Sequence, residues 1–240
     1  MKSTIIKSII IINFISQQLH TCTNPDFKEV TQSSYNVTAA EYTKNIERID
    51  SDSKAILFLQ HIKPGSHILD LGCGPGKDAK YFVEQGFKVT GIDFSTSMIK
   101  IARQHAPDAI FHTMDIEQIN FSDGEFDAIW AAASLLHIPK NKLPNILYKL
   151  KSLLKEKGVL YISLKKGNGE VITEDTRYQG NIQKFWAYYQ EDELINYLKN
   201  AGFEILELRV FEISTTYQTH PWITVISKSK FISKPLENKD

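Results

Sequence analysis

From residue 67 onward the apolar positions switch between a period of two and a period near 3.6. "HILDLG" reads as a strand, and "GKDAKYFVEQG" after it reads as a helix closed at Gly86. "FKVTGID" is the next strand, followed by "STSMIKIARQH", a helix with Ser95 or Thr96 placed as its N-cap. Two strands, "AIFHTMD" and "EFDAIWAAAS", precede the helix "NKLPNILYKLKSLLKEKG", which the pattern ends at Gly158, and "VLYISLKK" follows as a further strand. Strands and helices alternating at this length pair in parallel through right-handed crossovers, the pattern of a doubly wound α/β sheet. The tail breaks the alternation: after the helix "EDELINYLKNAG", stopped at Gly202, "FEILELRVFEIS" and "WITVISKSK" follow with no helix between them. They are expected to form an antiparallel hairpin at the sheet edge, completing a mostly parallel seven-stranded sheet in three α/β/α layers.

Upstream, Tyr35 to about Gln60 places Ile46, Ile49, Ala55, Ile56 and Leu59 at helical intervals divided by the breaker "DSDS", so two helices are expected there. At 240 residues with 42% hydrophobic content the chain supports one domain of the larger kind. We place it at residues 34–230, with an extension at 1–33, an insertion at 166–190 and a polar tail at 231–240. The extension has Lys2 and Lys7 and an apolar run from Ile9 to Ile15 interrupted by Asn13, which resembles a short secretory signal without its small-residue cleavage site. It is too short for a membrane span, which needs about 18 apolar residues. An export or anchoring segment and a plain N-terminal extension both stay open.

Lysine plus arginine and aspartate plus glutamate both total 28, so no net field draws the chain to a nucleic-acid backbone or an anionic membrane. Neither nucleic acid nor stable membrane insertion is expected. The two cysteines, Cys22 and Cys73, form no CxxC pair, so neither a disulfide scaffold nor a zinc site is expected, and no other metal is implied. A cytoplasmic location follows, with export as the alternative.

The chemistry begins at "ILDLGCGPGKD", where Gly72, Gly74 and Gly76 follow the first strand of the alternation. That strand-to-helix turn is the usual ligand cradle of an open parallel sheet, and dinucleotides and S-adenosylmethionine compete for it. A dinucleotide turn has GxGxxG spacing, whereas this one is GxGxG with Lys77 where the third glycine would stand. Asp70 would repel a pyrophosphate and suits a guest carrying positive charge.

At these residues the chain resembles the class I S-adenosylmethionine-dependent methyltransferases, from about Tyr35 to Lys228. "ILDLGCGPG" is similar to the family's first motif, "VTGIDFSTSMI" to its second, and "MDIEQINF" with "FDAIWAAASLLHIP" to its third and fourth, in that order. The resemblance implies a Rossmann-like fold and S-adenosyl-L-methionine as cofactor. It implies that Asp93 receives both ribose hydroxyls, that Phe94 and Met98 pack on the adenine, and that Asp115 and Ile116 read its amino edge. Asp70, Gly72, Cys73, Gly74 and Gly76 would form the cradle, with the backbone near Ala132 beneath the amino-acid portion.

Methyl transfer from a sulfonium needs alignment more than acid or base. If a proton must leave, His137 in "SLLHIP" is the candidate catalytic group; it could equally cap the next helix. In the 166–190 insertion, Arg177, Tyr188 and Tyr189, with Tyr178, Phe185 and Trp186 near them, could bind substrate, or the aromatics could simply pack the segment down. Tyr35 and Tyr42 stand where relatives often cover the cofactor. No tetrapeptide of base or glutamine methylation is present, which leaves a small-molecule or peptide acceptor. A non-catalytic cofactor-binding regulatory or assembly protein would show the same motifs, and a nicotinamide oxidoreductase is disfavoured by Lys77.

Overall fold

Five parallel strands form the centre of the sheet in the computed structural model, whose described residues are 26–47, 49, 52–213 and 218–230. In chain order the strands are β1 (His67–Leu71), β2 (Lys88–Asp93), β3 (Ile110–Thr113), β4 (Phe126–Ala132), β5 (Leu154–Lys165), β6 (Glu170–Glu174), β7 (Gln183–Ala187), β8 (Phe203–Phe211) and β9 (Trp222–Ser229). The helices are α1 (Phe27–Ile46), α2 (Asp52–Leu59), α3 (Lys77–Glu84), α4 (Thr96–His105), α5 (Leu143–Leu153) and α6 (Glu191–Asn200). The main sheet has the order β3-β2-β1-β4-β5-β9-β8, and β9 runs antiparallel to both β5 and β8, as the helix-free tail implied. The fold is the expected Rossmann-like three-layer α/β arrangement.

β1 and β4 are buried along nearly their whole length because helices cover both sheet faces. Alternation then sorts side chains: Leu69, Leu71, Ile129 and Ala131 enter one core, while Ile68, Ala128 and Trp130 enter the other, with Ala79 and Phe82 of α3.

Three boundaries differ from the sequence pattern. α1 begins at Phe27, ahead of Tyr35, with Asp26 as N-cap accepting from the Lys28 N–H. Its buried positions are Thr31, Ser34, Thr38, Ala39 and Thr43, so apolar periodicity does not reveal it. Thr31, Thr38 and Thr43 donate to the carbonyls of Phe27, Ser34 and Ala39, which lets a polar helix face be buried at little cost. α5 stops at Leu153 instead of Gly158, because β5 already pairs at Leu154 with Phe126. The ladder resumes at Val159 opposite Ala128, so Gly158 marks an irregularity in a strand. The insertion at 166–190 carries β6 and β7, an antiparallel pair forming its own small sheet. α1 is tied to it: the Phe185 N–H donates to Thr31 Oγ1, and Ser34 Oγ donates to the Gln183 carbonyl. The signal-like segment and the polar tail lie outside the described residues. Among the described residues no helix is long and apolar enough to cross a membrane.

Candidate active site

The glycine turn follows β1 at the carboxyl end of the sheet and borders a cavity lined from α1 and from the ends of β2 and β4. Gly72 and Gly74 are on its wall with Asp93, Phe94 and Met98 from the end of β2 and the start of α4, Asp115 and Ile116 after β3, and Ala132 to Ser134 after β4. The N–H groups of Gly72 and Cys73 both donate to the Ile92 carbonyl, at 2.8 and 2.9 Å, which fixes the turn against β2. Gly72 has φ +73°, and a Cβ there would stand 2.4 Å from the Ser134 Cβ. Its glycine is therefore required by the close approach of the β4 loop as well as by a left-handed backbone.

Asp93 is the best-defined polar group of the wall. Its Oδ1 accepts the Ser95 N–H at 2.8 Å and its Oδ2 accepts the Gly74 N–H at 3.0 Å. Each oxygen keeps a second lone pair. Burial raises the carboxyl from 3.8 to about 6, against those two N–H groups, which favour the anion. Asp115 caps a short 3-10 turn by accepting the Glu117 N–H on Oδ1 (2.9 Å), and its Oδ2 is 2.7 Å from Lys28 Nζ.

α1 closes the cavity from above. Phe27, Lys28, Tyr35 and Tyr42 are all on the wall. Gln32 Nε2 donates to the Phe94 carbonyl at 2.6 Å, and Ser95 Oγ donates to Asn36 Oδ1 at 2.7 Å. Tyr35 and Tyr42, singled out in the sequence, are thus on this wall, and so are Phe27 and Lys28, which escaped sequence reading. Their signal was an Asp26 to Glu29 spacing, an acidic N-cap with glutamate at the third helical position.

His137 also reaches the wall. Its Nδ1 lies 2.8 Å from the Phe185 carbonyl, which can only accept, so Nδ1 carries the proton. Nε2 then accepts the Tyr35 hydroxyl at 2.7 Å. Burial, assisted by the charges of Lys184, Lys165 and Arg177, pulls the imidazole down to about 3, outweighing the Phe185 bond. A ring so acidic when protonated is a poor proton acceptor at neutral pH; its visible work is to hold Tyr35.

A second cavity of about 830 Å³ adjoins the first, sharing Tyr35, Tyr42, Ala132 and Ala133 with it. Ala133, with φ +54°, is the strained residue between them. Its N–H lies 3.1 Å from both the carbonyl and the hydroxyl of Ser163. Trp130, Tyr161, Trp186 and Trp222 give this second cavity an aromatic lining, and Lys165 and Arg177 give it cationic groups.

Several expected site residues stand elsewhere. Asp70 is 3% exposed and lies on the β1 face that meets α3, away from the wall. Burial, with the charges of Asp78 and Asp93, pushes its carboxyl well above the ordinary carboxylate range. Cys73 turns into the core, its Sγ 3.0 Å from where a Cβ on Gly91 would be. Gly76 packs on α4, with Ala102 Cα and Cβ each 3.0 Å from the site of its missing Cβ. Lys77, in the place of a third glycine, donates to the carbonyls of Ile46 and Ile49 and anchors the end of α1. Of the three proposed substrate residues, Arg177 reaches the second cavity. Tyr188 packs against His220, and Tyr189 is fully buried beneath Lys140.

Comparison with known proteins agrees with this geometry. Residues 68–158 match a family model described as a methyltransferase domain. Over 126 residues the chain is 35% identical to a trans-aconitate 2-methyltransferase of Delftia acidovorans, covering 51% of this chain and 46% of that protein. The chain spans about half the length of the first curated relatives it matches. Among solved structures, the 1,6-didemethyltoxoflavin-N1-methyltransferase of Burkholderia thailandensis, with S-adenosylhomocysteine bound, superposes with a TM-score of 0.68 at 20% identity, covering 85% of this chain and 89% of that one. The magnesium protoporphyrin IX methyltransferase of Synechocystis, with S-adenosylmethionine bound, gives 0.67 at 20% identity, covering 88% and 100%. The matched methyltransferase domain spans the glycine turn and β4, so the motifs stand in order along this sheet within residues 68–158, and over that region the chain is similar to the class I S-adenosylmethionine-dependent methyltransferases.

Proposed function

We propose that the chain transfers a methyl group from S-adenosylmethionine to a small-molecule acceptor held in the second cavity. The observation that carries this is Asp93: a carboxylate at the end of β2, fixed by two backbone N–H groups, with one lone pair per oxygen left for a diol. The wall fits the rest of the cofactor. Gly74 opens a side of the turn where a Cβ would find only Tyr42, at 3.8 Å, and Ser134 Oγ is a buried hydroxyl without a partner. Phe94, Met98 and Ile116 give the adenine an apolar seat, and Asp115 gives its amino group an acceptor.

S-adenosylmethionine would supply a methyl group on a sulfonium, with its leaving group built in. The chain's own residues then position and exclude water. α1 lays Tyr35 and Tyr42 across the junction of the two cavities, and neutral His137 holds the Tyr35 hydroxyl in place. No residue at the junction is asked to take a proton. A cytoplasmic setting, where the cofactor is made, suits this activity.

Incubation with methyl-tritiated S-adenosylmethionine and fractionated small-molecule extracts tests transfer. Label is expected in a low-molecular-weight product. Binding of the cofactor with no label transferred to any fraction would favour a regulatory role for the fold.

A further inference from the structure

The second cavity holds a cation that the methyl-transfer reading does not use. Lys165 ends β5 at the carboxyl edge of the sheet, is only 4% exposed, and lies on the cavity wall. Its Nζ stands 3.4 Å from the centre of the Trp186 ring. Among the described residues no carboxylate, carbonyl or hydroxyl hydrogen-bonds to it. Nearby charges do not compensate. The Asp175 carboxylate is already shared by two cations, Arg177 at 2.6 and 2.7 Å and Lys184 at 2.9 Å. Asp78, also on the wall, accepts the Trp130 indole N–H at 2.8 Å and faces that ring. Burial, with the charges of Arg177 and Lys184, pulls Lys165 from 10.5 to about 7 despite Asp175. An ammonium so placed lacks a counter-ion, and a buried cation without one is costly.

A second orphan donor points the same way. The Trp222 indole N–H is buried without a partner, and Trp222 pairs with Lys165 across the β5–β9 ladder on the same wall. The remaining lining is flat and aromatic: Trp130 and Tyr161 stack at 3.7 Å between ring centres.

Resting on the acceptor role of this cavity, we infer that the methyl acceptor is an aromatic or conjugated carboxylate, its anionic group bound by Lys165 Nζ and the Trp222 indole N–H. Two donors match the two oxygens of a carboxylate, whereas a phosphate would leave its third oxygen facing tryptophan. A cationic acceptor would meet an excess of positive charge, and a neutral one would leave Lys165 as it is. The apolar body lies on the tryptophan and tyrosine faces, and the end opposite the carboxylate points toward the Tyr35 and Ala133 junction.

The test uses matched probes on the full chain saturated with S-adenosylhomocysteine: cinnamate, cinnamamide and cinnamylamine, then indole-3-acetate, its amide and tryptamine. Affinities are read by calorimetry or by ligand-observed magnetic resonance. The acids are expected to bind at least tenfold tighter than their amides, with the amines weakest. Lys165→Met is expected to remove the preference, bringing acid down to the level of amide. Equal binding of acid and amide, tighter binding of amine, or no acid binding at all overturns the inference. So does a preference that survives Lys165→Met. The titration with S-adenosylhomocysteine alone comes first, so failure of the cofactor reading is seen separately. Comparison within the wild-type chain does not depend on how the variant folds.

Discussion

Asp93→Asn is the perturbation whose effects are best fixed by the structure. Each carboxylate oxygen already accepts one backbone N–H, from Ser95 and Gly74, so a ribose diol would take the remaining lone pair of each. Asparagine keeps one acceptor and turns the other into a donor, removing at least one hydrogen bond to a charged group, about 1.5 to 3 kcal/mol. S-adenosylhomocysteine affinity at pH 7.5 should fall about tenfold or more. The ionisation of Asp93 gives a second signature. Burial holds the folded carboxyl at about 6, above its ordinary 3.8. Ligand affinity should be level above about pH 7 and decline below about pH 6, by up to tenfold per unit, as the anion is lost. Stability runs the other way: between 3.8 and about 6 the folded chain holds a proton that the unfolded chain has released, so stability decreases as pH rises through that window. The cost at neutral pH is about 3 kcal/mol, and asparagine escapes it while leaving one backbone N–H poorly matched, about 1 to 3 kcal/mol. The variant should therefore be no less stable than wild type at pH 7.5 while binding ligand worse. Calorimetric titration and urea unfolding on the same samples read both quantities. Affinity within twofold of wild type, or a flat pH profile in the wild-type chain, refutes the ribose role.

Gly72→Ala should destabilise the chain by at least 1 kcal/mol more than Gly65→Ala in urea unfolding. Both have positive φ, but an added Cβ meets Ser134 at the first and nothing within 4 Å at the second. His137, held at about 3, stays neutral while the unfolded chain takes a proton below about 6.5, so stability should drop by up to about 1.4 kcal/mol per pH unit as pH falls from there toward 3. His137→Gln should remove much of that acid sensitivity, and a pH–rate profile of the wild-type chain should show no step from this imidazole near neutrality. Lys77→Met loses donors to the Ile46 and Ile49 carbonyls, and amide hydrogen exchange at the end of α1 should quicken while β1 to β5 keep their protection.

Legibility from sequence followed the physics of each element. The parallel strands and α3, α4 and α6 carry clean apolar periods, and the helix-free tail gave the antiparallel edge. α1 was half hidden because threonine and serine hydroxyls, satisfied by backbone carbonyls, make up its buried face. Asp93, Phe94, Met98, Asp115 and Ile116 were placed by motif order and do converge on one cavity. Asp70, Cys73 and Gly76 sit in the same motif, yet strand alternation and helix packing turn them into the core, which spacing alone does not reveal. Arg177 reaches the second cavity, while Tyr188 packs against His220 and Tyr189 is buried beneath Lys140, contacts made with distant segments that residue type alone does not reveal. Lys165 drew no notice in the sequence, because its burial depends on contacts such as the Trp186 ring of β7 over its ammonium, far along the chain.

The central claim is that the glycine turn and Asp93 bind S-adenosylmethionine, and calorimetric titration of the wild-type chain with S-adenosylmethionine, S-adenosylhomocysteine and NADH tests it most directly. Saturable one-to-one binding of the first two, with no heat from NADH, is the predicted result; NADH binding without either sulfur ligand would contradict it.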